Sequence, residues 1–180
     1  MKRVPFIVLA LMFIYMAQDG LAQSLDKIKA IRNELFYTDF DFDKCVKYYN
    51  FIVDQHDDSP LVQAYLAAAK SLMAKHTWNP INKISYLKDG LALLNKAVAA
   101  DKENPEIRFL RLYIQRSIPS YMGLSGDIEE DKKIIIKHLD RLDVQELGED
   151  LTAYIATYMA APDLTTDLEA SLIKEKLEVN

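Results

Sequence analysis

Two arginines and a glutamine set the most specific chemistry this chain offers. Arg108, Arg111 and Gln115 fall at i, i+3 and i+7, and so share one narrow polar stripe of a helix. The same helix is apolar on two other sides, with Ile107, Leu110 and Ile114 on one and Phe109, Leu112 and Tyr113 on the other. A helix apolar on two sides belongs in the interior. A guanidinium placed there must be answered by a carboxylate or by a ligand. Asp127 and Asp131, at the start of the next helix, are the internal candidates. The other reading turns the stripe toward a groove, where it captures an acidic group of a bound chain. The loop Pro119–Leu124 follows directly and brings Tyr121 and Met122, adaptable contact residues of the kind that enrich binding surfaces. Arg108, Arg111, Gln115, Tyr121 and Met122 are therefore the candidate binding residues.

Other chemistries lack their parts. Gly123-Leu124-Ser125-Gly126 does not carry glycine two before and two after the serine, as a nucleophile elbow requires. His56, His76 and His138 have no partner at metal-ligand spacing, and no Glu-x-x-His pair of a di-iron bundle occurs. Asp39, Asp41 and Asp43 match the opening of a calcium loop, but the glycine at the sixth place is missing and Asn50 stands at the twelfth. Helix capping accounts for them better. Glu129, Glu130 and Asp131 at a helix start complement its dipole. No glycine-rich phosphate cradle is present. The expectation is a chain with no catalytic residue, no metal and no cofactor.

The elements that position the stripe are helices. After residue 22 the glycines are Gly90, Gly123, Gly126 and Gly148, too few for a β-rich fold. Ser59-Pro60, Asn79-Pro80 and Asn104-Pro105 each place proline after a capping residue, a strong helix start. Between these marks apolar residues recur at helical spacing. The stripes run through Leu25–Leu35, Phe42–Ile52, Leu61–Leu72, Ile84–Val98, Ile107–Ile114, Ile128–Leu142, Leu147–Tyr158 and Leu164–Leu172. Ile134-Ile135-Ile136 is read as helix, because acids precede it and bases follow. Cys45 falls within an apolar stripe and reads as a small buried hydrophobe. As the lone cysteine it leaves the fold to hold by packing.

The first segment stands apart. Lys2 and Arg3 precede the almost wholly apolar run Val4–Ala17, and Gly20 and Ala22 supply small residues before a cleavage point. This is the layout of a secretory signal peptide over residues 1–22, shorter than the roughly 20 apolar residues that span a bilayer. Residues 23–180 then form a single domain, exported to the periplasm or the exterior, with no membrane span. The chain has a formal charge of −5, and losing Lys2, Arg3 and Asp19 makes the remainder more acidic. An acidic chain without a basic run is a poor nucleic-acid binder. The sequence leaves the oligomeric state open.

Two segments resemble the second helix of a tetratricopeptide repeat. In Gly90–Asp101, closing at Asn104-Pro105, the residues Gly90, Leu94 and Ala97 hold the places where that family puts a small, a large apolar and a small residue. In Asp41–Tyr49 and beyond, Cys45, Tyr49 and Ile52 hold them, and Phe36 stands at the aromatic place of the preceding helix. Lys102 replaces the family's proline, and the extra length between the two segments is assigned to a longer connection around His76-Thr77-Trp78-Asn79-Pro80. The stretch Glu106–Gly123 also resembles a segment of uncharacterised exported bacterial helical proteins. The helical spacing gives an all-α fold of about eight helices; the resemblance implies that they stack as antiparallel hairpins in a tetratricopeptide-like α-solenoid, the other reading being an irregular helical bundle. The resemblance also implies a non-enzymatic module that binds a protein or peptide of the cell envelope, or scaffolds it, through a groove between hairpins. A small envelope enzyme or accessory subunit with a pocket near residues 105–124 is one alternative. A structural component of an envelope complex is the other.

Overall fold

The computed structural model describes residues 25–35 and 41–177; the leader 1–22 and Phe36 lie outside them. The described residues form an all-α fold. Helix α1 covers residues 25–35. It is followed by α2 (Phe42–Val53), α3 (Pro60–His76), α4 (Pro80–Ala100), α5 (Pro105–Arg116), α6 (Ile128–Lys137), α7 (Val144–Leu147), α8 (Glu149–Met159) and α9 (Asp167–Lys176). Short 3-10 turns stand at Ser120–Met122 and Leu139–Arg141. The four-residue α7 exceeds the expected set. It is cut from α8 at Gly148, whose φ of +84° lies in the region that favours glycine.

The helix starts follow from local chemistry. Asn79 and Asn104 accept hydrogen bonds from the first amides of α4 and α5, ahead of Pro80 and Pro105. Asp41 caps α2 by accepting from the Lys44 amide. Ser59 precedes Pro60, but its hydroxyl makes no capping bond. Thr166 and Glu169 close a capping box on α9. Because α9 starts at Asp167, it buries Ile173, and Leu177 just beyond it, while Leu168 is 81% exposed and Leu172 also faces water. The expected Leu164–Leu168–Leu172 stripe is thus corrected: Leu164 is buried in the turn before the helix.

The α3–α4 and α5–α6 pairs run antiparallel: Lys70 meets Asp89 across a three-residue turn, and Arg108 and Gln115 meet Asp131 and Asp127 in reverse order. The Tyr48 hydroxyl of α2 donates to the Ile31 carbonyl of α1. Lys70 of α3 stands over the Tyr49 ring of α2 and pairs with Asp89 of α4. The α3–α4 contact is close because it is built from small residues. Ala64, Ala67, Ala68, Ser71 and Ala74 of α3 and Gly90 and Ala97 of α4 are all buried. A Cβ on Gly90 would stand 2.2 Å from Ser71 Oγ and 3.0 Å from the Ala67 carbonyl. The extra length of this hairpin lies in the helices, of 17 and 21 residues. Residues 77–79 alone join them, so the longer connection expected there is absent.

Helix α5 divides the interior. Ile107, Leu110 and Ile114 join a core with Ile31, Tyr48, Ile52, Tyr65, Leu91 and Leu94. Phe109 and Leu112 join a second with Ile135, Leu139, Ile155, Met159 and Ile173. The two apolar sides read from the sequence therefore serve two different cores. Cys45 is buried, and burial pushes its thiol up to about 11. No helix among the described residues is long and apolar enough to cross a membrane.

Candidate functional site

The stripe Arg108–Arg111–Gln115 faces α6 and is answered there. Arg111 donates from Nε to Asp131 Oδ2 (2.8 Å) and from Nη2 to Asp131 Oδ1 (2.7 Å). Arg108 Nη1 donates to Asp131 Oδ1 and Glu130 Oε1, both at 2.8 Å, and its Nε to the Lys102 carbonyl. Gln115 donates to Asp127 Oδ2 and accepts from the Asp127 amide. Arg111 also reaches Asn95 on α4. Burial alone would lower the Arg108 pKa; its bonds to Asp131 and Glu130 outweigh this and raise it. All three side chains are buried, so the groove-facing alternative is corrected: the stripe holds α6 onto α5. Tyr121 and Met122 do not join it. Tyr121 is 87% exposed, and Met122 packs against the first core.

A second buried ion pair carries no signal in the local sequence. Arg32 of α1 donates from Nε and Nη2 to the two oxygens of Glu106, each at 2.7 Å, and Tyr65 donates to Glu106 Oε1 at 2.6 Å. Arg32 Nη1 also donates to the Glu146 carbonyl. Burial would lower the Arg32 pKa, and Glu106 and Tyr65 reverse that. Helical phase does put Arg32 beside Ile31 and Glu106 in the first turn after Pro105. Their separation in sequence hides the pairing. No buried side-chain polar atom among the described residues lacks a hydrogen-bond partner. Both networks are thus closed within the protein.

The open geometry lies elsewhere. A cleft of about 580 Å³ lies between the start of α2 and the α3–α4 turn, lined by Asp41, Phe42, Asp43, His76, Thr77, Trp78 and Asn79. Phe42 leans on Tyr86 of α4, ring centroids 6.2 Å apart. Trp78 is 98% exposed, and Ile81 and Ile84, at steps of three along the chain, are 77% and 43% exposed. Helix lengths account for the ridge. At about 1.5 Å per residue, α4 is roughly 31 Å long and α5 roughly 18 Å. Arg111 of α5 meets Asn95 of α4, and α5 ends five residues later at Arg116. The first turns of α4 run on past it, and residues 81–85 are all exposed. A smaller depression of about 70 Å³ lies beside Arg32 and Gly148. Neither is lined by residues 105–124, where a pocket was one expectation.

The described histidines fit no metal site. His76 lines the cleft, and His138 meets Glu103. No group of three or more His, Cys, Asp or Glu among the described residues could hold a metal ion. A partly exposed aromatic group also stands on the far side of α5. There the Tyr113 and Tyr158 ring centroids are 5.0 Å apart and Arg116 lies over Tyr158. No family model matches the chain, and no curated protein or solved structure matches it.

Proposed function

We propose that the chain is an exported, non-enzymatic module of the cell envelope, built of tetratricopeptide-like hairpins, that docks a protein or peptide partner at the α3–α4 turn. The leader pattern of residues 1–22 supports the address, and the antiparallel hairpins with their close approach at Gly90 and Ala97 support the family reading. The observation that carries the docking reading is Trp78, almost wholly in water at the mouth of the 580 Å³ cleft and continued by Ile81 and Ile84. Scattered apolar residues on a surface are ordinary. An exposed indole lining a cleft, with two exposed isoleucines in the first turns of the helix that follows, is an unusual concentration of apolar surface, of the kind that marks an interaction site. Covering one indole removes about 150–250 Å² from water, a drive of about 4–6 kcal/mol before ordering costs.

Pull-down from the native envelope with the wild-type chain and with Trp78→Ala tests this. The variant removes no core contact and should melt with the wild type. It should lose the captured partner. Equal capture by both overturns the reading.

A further inference from the structure

The lining of the cleft carries more acid than base. It holds two carboxylates, Asp41 and Asp43, and one imidazole, His76, whose charge interaction reaches Asp41; no lysine or arginine lines it. Its flat apolar surfaces are the Trp78 indole and the Phe42 ring. Asp41 already spends Oδ1 on the Lys44 amide, a bond that holds its carboxyl below the usual range. It is therefore ionised at neutral pH. Asp43, one residue past the N-terminus of α2, is exposed.

Aromatic faces attract cations through their quadrupole, Trp most strongly. Carboxylates beside such a face add direct charge attraction. The chain as a whole carries a formal charge of −5, which favours approach of a basic partner and repels an acidic one. An anionic partner would meet the carboxylates of Asp41 and Asp43 at the contact, an arrangement that selects against it.

We propose that the cleft receives a guanidinium or ammonium side chain of a basic, apolar partner segment, with the cation between the Trp78 face and the carboxylates of Asp41 and Asp43 and the apolar residues on the Ile81–Ile84 ridge. This rests on the reading of the cleft as a docking surface and names the class of its partner. It reverses the polarity first read from the sequence, in which arginines of this chain captured an acidic group.

Trp78 is the one tryptophan of the chain, so its fluorescence reports the site directly. The probes are three short peptides of one length, alternating leucine with arginine, with citrulline or with glutamate. Citrulline keeps the shape of arginine without its charge. The arginine peptide should shift the emission to the blue, saturably, and bind less well as salt rises. Asp41→Asn with Asp43→Asn should weaken it about tenfold. Asparagine keeps the α2 cap, so the double variant should fold, as circular dichroism checks. Equal binding of the citrulline peptide, or indifference to the double substitution, overturns the cation assignment and leaves the docking reading standing. No response to any peptide also overturns the assignment, and the docking reading is then decided by the Trp78→Ala pull-down alone.

Discussion

Arg111 and Asp131 face each other through two parallel hydrogen bonds of 2.8 and 2.7 Å, with the carboxylate wholly closed to solvent. Arg108 shares one of the same oxygens, so two guanidiniums rest on one buried carboxylate. Removing one partner of such a pair leaves uncompensated charge in the interior. Asp131→Ala should cost about 3–5 kcal/mol in denaturant unfolding. Arg111→Ala should fall in the same range. Values under about 1 kcal/mol would place the network at a hydrated surface.

Gly90 sets the distance between α3 and α4. In an open helix alanine is about 1 kcal/mol better than glycine. Here the added Cβ would meet Ser71 Oγ at 2.2 Å and the Ala67 carbonyl at 3.0 Å. Gly90→Ala should therefore destabilise by about 1–3 kcal/mol, and Ser71→Ala should restore part of the loss. Ala97→Leu should overpack the same hairpin by a similar amount, about 1–3 kcal/mol. Thermal melting that rose for Gly90→Ala would show that the two helices can part at no cost.

Much of this was legible in the sequence, and the gaps have physical reasons. The stripe Arg108–Arg111–Gln115 and its partners Asp127 and Asp131 follow from helical phase plus the need to neutralise a buried guanidinium. The pairing of Arg32 with Glu106 and Tyr65 does not. Those residues lie 74 and 41 positions from Glu106, and only the packing of α1, α3 and α5 brings them together. Trp78 read as part of a longer connection, because residue type cannot say whether an aromatic at a turn folds inward. Its exposure depends on α4 outrunning α5, a difference in length between helices that proline and asparagine mark only at their starts. The Leu168–Leu172 stripe failed because the Thr166 cap sets the phase of α9 and turns Ile173 inward instead.

The Arg32–Glu106 pair ties the first helix to the centre. Glu106→Ala should leave Arg32 and the Tyr65 hydroxyl without their carboxylate. Hydrogen exchange should then quicken in residues 25–35 ahead of α8 and α9, whose contacts belong to the second core. Uniform quickening across all helices would mean that the pair supports the whole fold equally.

Alkali should loosen the first core. Burial raises the Tyr48 and Tyr65 phenols well above their usual range, with Glu106 adding to the shift at Tyr65. A pKa raised on folding means that the neutral phenol favours the native state. The contribution is complete below about pH 10, where an unfolded tyrosine begins to ionise, and is lost as pH rises beyond it. Melting temperature followed from pH 7 upward should stay level on this account and fall above about 10. Tyr48→Phe loses one hydrogen bond, about 1 kcal/mol at neutral pH, and should fall less steeply in alkali. Equal slopes would contradict the assignment.

The docking of a protein partner at the Trp78 ridge is tested most directly by photo-crosslinking in the native cell. A photoreactive residue placed at Ile81 should give one discrete protein adduct. The same adduct should vanish when Trp78→Ala is added, and it should not form from Leu168, which is equally exposed but lies on α9. An adduct that forms alike from Ile81 and Leu168, that persists without the indole, or that does not form at all would contradict the account.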